Sequence, residues 1–87
     1  MKLKVDVRED HIANGARCST DYCPIALAIY ELVPEGSRVD VDGEIRVTVP
    51  GEPYTHVGEL SEVAFEFIER FDGHDAVEPF SFEVELS

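Results

Sequence analysis

Basic residues are scarce in this chain. Lys and Arg number seven against nineteen Asp and Glu, a formal net charge of −12, and the seven do not cluster. A phosphate backbone is held by grouped Lys and Arg, so direct nucleic-acid binding is excluded as a function class. Docking on an anionic membrane leaflet is excluded for the same reason. No run of about 18 apolar residues is present, so no helical membrane span is expected. Met1-Lys2-Leu3-Lys4-Val5-Asp6 alternates and lacks the apolar block of a signal peptide, so a cytoplasmic location is expected. There Cys18 and Cys23 are expected to be reduced unless they bind metal or cycle.

Catalytic signatures are missing too. The chain has no phosphate-cradling glycine loop, no G-x-S-x-G and no C-x-x-C. Its many carboxylates guarantee chance pairs, so paired acids carry no information about acid–base chemistry. No enzyme activity and no cofactor is expected. Without repeats, linkers or low-complexity segments, residues 1–87 read as a single acidic domain.

What is there is periodicity. Apolar residues make up 44% of the chain and recur regularly, which argues against disorder. Leu3, Val5 and Val7 alternate with Lys2, Lys4 and Asp6, a strand with one wet face. Arg8 to Gly15 reads as a short helix with acids in its first turn and Asn14-Gly15 as a left-handed stop. Pro24 opens a nearly all-apolar helix that runs to Val33. Val39 and Val41, then Ile45, Val47 and Val49, flank Asp42-Gly43, a strong hairpin signal. Glu59 to Phe71 carries Leu60, Val63, Ala64, Phe67, Ile68 and Phe71 at helical spacing, and Phe80, Phe82, Val84 and Leu86 form a last alternating strand.

The expected fold is therefore α+β, in the order β-α-α-β-β-α-β: a four-stranded, mainly antiparallel sheet with helices on one face. Lys2 and Lys4 on the first strand complement Glu83 and Glu85 on the last, which predicts that these strands are neighbours. The expected core is Leu3, Val5, Val7, Ile25, Leu27, Ala28, Ile29, Leu32, Val39, Val41, Ile45, Val47, Val63, Phe67, Ile68, Phe80, Phe82 and Val84.

Three constellations invite chemistry. Cys23 precedes Pro24 at a helix start, where free N–H groups favour a thiolate. Its bland reading is a small hydrophobe, with Cys18 a second structural thiol. His11, Cys18 and Cys23 are a possible metal set, although structural zinc sites use four ligands, commonly in tight pairs. Finally, Glu59, Glu62, Glu66 and Glu69 form an acidic ridge on the long helix, with Phe65 beside it. Phe65 is either exposed for a partner, as aromatics at interfaces are, or packed under the loop of residues 51–56.

His11-Ile12-Ala13-Asn14-Gly15, followed by Cys23-Pro24-Ile25-Ala26-Leu27-Ala28, resembles a family of small acidic proteins of actinobacteria and their bacteriophages. Val77-Glu78-Pro79-Phe80-Ser81-Phe82-Glu83 is similar to that family's closing segment. The family is uncharacterised and supplies no site residues, so the resemblance implies context alone: a phage or prophage accessory protein in a bacterial host's cytoplasm. The resulting expectation is a non-enzymatic protein that binds a protein partner through its acidic surface. The alternatives are a metal- or thiol-dependent protein using His11, Cys18 and Cys23, or a subunit of a homo-oligomer.

Overall fold

Alternation makes the first strand as the sequence predicts: in β1 (Lys2–Val7) the apolar Leu3, Val5 and Val7 are all buried. The structure is a computed structural model that describes residues 1–87. Two short helices follow, α1 (Glu9–Asn14) and α2 (Pro24–Tyr30), then strands β2 (Arg38–Asp42), β3 (Glu44–Thr48) and β4 (Thr55–Glu59). Helix α3 (Glu62–Asp72) and strand β5 (Phe80–Glu85) complete the order.

β1 and β5 pair antiparallel, with Lys2 opposite Glu85 and Lys4 opposite Glu83, the neighbours that charge complementarity predicts. β2, β3 and β4 form a second antiparallel sheet, in that order. Its first turn is Asp42-Gly43, with Gly43 at φ 69°, where a residue without Cβ is unstrained. The α+β class stands, but the expected single four-stranded sheet is instead five strands in two sheets. The additional strand is β4, expected to be loop and the start of the long helix. Its two buried positions are His56 and Gly58. Neither is an aliphatic side chain, so the strand carries no period-two apolar signal.

Gly58 has a steric reason. A Cβ there would stand 2.6 Å from the Glu85 carbonyl oxygen and 2.6 Å from Leu86 Cδ2. β4 therefore crosses the end of β5 at backbone contact, and the Ser87 N–H donates to the Val57 carbonyl at 3.0 Å. The two sheets become one wall, running β1, β5, β4, β3, β2. Helix α2 closes it by packing on both β1 and β2.

The core lies inside this wall. Ile25 and Ile29 of α2 meet Val5, Val39, Ile45 and Val47 with no exposure. Five expected core residues differ. Leu32 is exposed because α2 ends at Tyr30 and Leu32 falls in the following turn. Val63 is exposed because α3 turns Ala64, Phe67 and Phe71 inward, a stripe narrower than the sequence suggests. Leu27, Ile68 and Phe80 are half-buried. Gly15, expected as a left-handed stop, has φ −72°. It is small because a Cβ would lie 2.6 Å from the Pro24 ring, where the end of α1 meets the start of α2.

Candidate functional site

The conspicuous polar cluster joins α1 to the end of α2. Arg8 precedes α1, and its backbone N–H donates to His11 Nδ1 at 2.9 Å, a side chain reaching back to cap the helix start. With Nδ1 accepting, the ring hydrogen sits on Nε2 and is donated to Glu31 Oε2 at 3.0 Å. The Arg8 guanidinium binds Glu31 in a fork, at 3.0 and 2.9 Å, and donates to Asp10 at 3.1 and 3.2 Å. Bonding to Arg8, then to His11, holds the Glu31 carboxyl below its ordinary range, and Arg8 does the same for Asp10.

The possible metal set of the sequence is not assembled here. His11, Cys18 and Cys23 do not converge. The set of three metal-ligating atoms within 4.8 Å of one another is instead Asp10, His11 and Glu31. A cation entering there would have to displace Arg8 from both carboxylates, and the capping bond already uses His11 Nδ1. The cluster is built as a latch between helices. Arg8 and Glu31 lie 23 residues apart, and Glu31 follows an apolar helix with no pattern to mark it.

Cys23 is not the activated thiol that its helix start suggested. Its Sγ accepts from the Ala26 N–H at 3.5 Å, capping α2. Burial nevertheless dominates and pushes the thiol up. Cys18 is free and exposed, at φ 55°, and its N–H donates to Asp72 Oδ1 at 2.9 Å. His11 and Cys23 thus cap helices, and Gly15 makes room for Pro24.

The exposed face of α3 is different. Ser61 caps the helix by accepting from the Ala64 N–H at 3.3 Å, so the helix starts three residues later than expected. Glu59 leaves the ridge as a result. It is the last residue of β4, opposite Glu44. Glu62, Glu66 and Glu69 remain on one line, with no basic nitrogen within 4.0 Å of any of them. Beside them Val63 is 60% and Phe65 46% exposed.

Phe65 does not pack under residues 51–56. It lines a groove of about 260 Å³ between α3, the Cys18–Thr20 loop and the β2–β3 turn. On the other flank of α3, Val63, Glu66 and Arg70 border a groove closed by residues 76–80.

No family model, curated protein or solved structure matches this chain.

A further histidine, which the sequence offers only as a fourth ligand for the possible metal set, has a different role. His56 of β4 is buried, with Nε2 2.5 Å from Glu52 Oε1 and Nδ1 3.2 Å from the Ser87 carbonyl. The carbonyl can only accept, so Nδ1 donates to it. His56 therefore pins β4 to the segment after β5, and Tyr54 covers it edge-on at 4.9 Å.

Proposed function

We propose that this protein is a non-enzymatic binding protein whose contact surface is the outer face of α3, directed at a basic protein partner. The observation that carries this reading is the strip of Glu62, Glu66 and Glu69, unpaired and repelling one another, next to exposed Val63 and Phe65. Like charges at this spacing cost the isolated helix a few tenths of a kcal/mol per pair. A basic surface would relieve that cost, and exposed apolar side chains rimmed by charge suit an interface. A second copy of this chain fits less well, because it would bring another net charge of −12 to the contact.

No helix is long and apolar enough to cross a membrane. The context that best suits the reading is a small phage or prophage accessory protein in a bacterial cytoplasm, as the motif resemblance suggests. The partner's basic patch would then be one of those in that cytoplasm, including patches that otherwise receive nucleic acid.

The test is capture from bacterial lysate over a salt series, with wild type and Glu62→Gln/Glu66→Gln as baits. A protein held by wild type at low salt, and lost both at high salt and by the double variant, is the expected result. Equal capture by both baits removes α3 from the interface. Stoichiometric zinc in untagged protein, with loss of the fold under chelator, would overturn the metal-free reading.

A further inference from the structure

The groove lined by Phe65 differs from the two grooves on the Glu66 side of α3. Those bordered by Glu66 both contain Arg70. The groove between α3 and the β2–β3 turn has two carboxylates, Asp42 and Asp72, and no basic side chain in its lining. Asp42 is exposed and its carboxylate has no hydrogen-bond partner, while Asp72 uses only Oδ1, on the Cys18 N–H at 2.9 Å. The nearby Arg17 is engaged elsewhere. It donates to the Phe71 carbonyl at 3.2 Å, and its guanidinium lies 5.2 Å from the Phe71 ring centre.

The same lining includes the apolar Val41, Leu60, Phe65 and Ile68, with Ser19 and Thr20 as its neutral polar members. At about 260 Å³ the groove falls below the roughly 300–1,000 Å³ of small-molecule sites. It has room for one long side chain. Such a chain needs a methylene stem for the apolar lining and a cationic tip for the acids. A planar tip can also stack on the half-exposed Phe65 ring.

We propose that this groove receives an arginine side chain from a basic segment of the partner protein, its guanidinium between Asp42 and Asp72 and against Phe65. Arginine fits better than lysine because a flat, forked donor can bond carboxylates while stacking on a ring. The proposal rests on α3 being the binding face and specifies which side chain anchors there. Glu62, Glu66 and Glu69 then supply long-range attraction, and the groove supplies the specific contact.

The experiment is an NMR titration of the intact protein with the peptide acetyl-Gly-Arg-Gly-amide. The control is the same peptide with citrulline, which keeps the shape and removes the charge. The arginine peptide should produce saturable shifts at the amides of Cys18, Gly43, Phe65 and Asp72, and the citrulline peptide should bind at least tenfold more weakly. Asp42→Asn/Asp72→Asn should abolish these shifts. The side-chain amide introduced by Asp72→Asn would still offer an oxygen to the Cys18 N–H, so the fold has no reason to change, and a thermal melt checks this. Phe65→Ala, at a half-exposed position, should weaken the peptide at least severalfold.

Equal shifts with citrulline, shifts spread over the whole acidic surface, or full binding by the doubly substituted variant would overturn the proposal. Glu62→Gln/Glu66→Gln separates the two readings. It should weaken capture of the whole partner far more than it weakens the singly charged peptide, whose shifts should stay at the same groove amides. Failure of the peptide with intact salt-dependent capture discards the groove and keeps α3.

Discussion

Gly58 and Gly15 are both small because something stands where a Cβ would be, and at neither does φ demand glycine. Replacing Gly58 with Ala would push a methyl against the Glu85 carbonyl, a backbone atom that cannot rotate away. Overpacking of this kind costs about 1–3 kcal/mol, read as a lower urea midpoint at unchanged slope. Glu31 makes a second prediction at this scale. Its carboxyl is held below the usual range, so it stabilises the fold above its ordinary value near 4.5. That contribution is lost as pH falls through the depressed folded value. Glu31→Gln should therefore lower stability slightly at pH 7 and flatten the acid-induced loss below about pH 4.5. The effect is small because the ion pair is open to solvent. Chemical denaturation at a series of pH values reads both. Neither role is visible in the sequence: the close crossing at Gly58 and the Arg8–Glu31 fork are made by residues far apart in the chain, and a lone Gly or Glu does not announce its distant partner.

At the level of elements, legibility follows what fills the inward positions. β1, the β2–β3 hairpin and β5 are readable because Val, Ile, Leu and Phe occupy alternate sites. β4 is not, because His56 and Gly58 occupy them. The helix α3 is readable in kind, but its start is displaced because Ser61 caps it, which moves Glu59 off the ridge and into a strand. Its buried face is anchored by Phe67, whose ring lies 4.7 Å from Phe80 and 6.1 Å from Phe71. Phe67→Ala should cost about 3–5 kcal/mol, and an unchanged melting temperature would show that the face is assigned wrongly. On the opposite face, Glu66→Gln should raise the stability of the free domain by a few tenths of a kcal/mol by relieving repulsion from Glu62 and Glu69, whereas the Glu62 carboxylate is also favoured by its place in the first turn. A fall in stability would mean that the Glu66 carboxylate has favourable partners in the free protein. Phe65 and the Asp42–Asp72 groove are the least legible part, since the groove joins three segments that the linear pattern keeps apart.

Across the whole molecule, charge sets the behaviour. Five of the nineteen acids, namely Asp10, Glu31, Asp40, Glu44 and Glu52, lie within 4.0 Å of a basic nitrogen. The longest dimension is 38 Å, and at 0.01 M salt the screening length is about 30 Å, so most charges feel one another. Raising sodium chloride to about 0.5 M should lift the melting temperature by several degrees, because screening relieves self-repulsion more than it weakens a few exposed ion pairs. A melting temperature that falls with salt would mean that attraction dominates the free domain. The pairing of β1 with β5 has its own consequence, in time rather than in space. On a ribosome β1 emerges first and β5 last, so Leu3, Val5 and Val7 have no strand partner until translation of the domain is nearly finished. The hairpin and α3 can form locally while they wait, but the wall cannot close. A chain halted before Phe80 would leave the backbone edge of β1 unpaired, an open template for wrong pairing. Completion of this fold waits for its last strand.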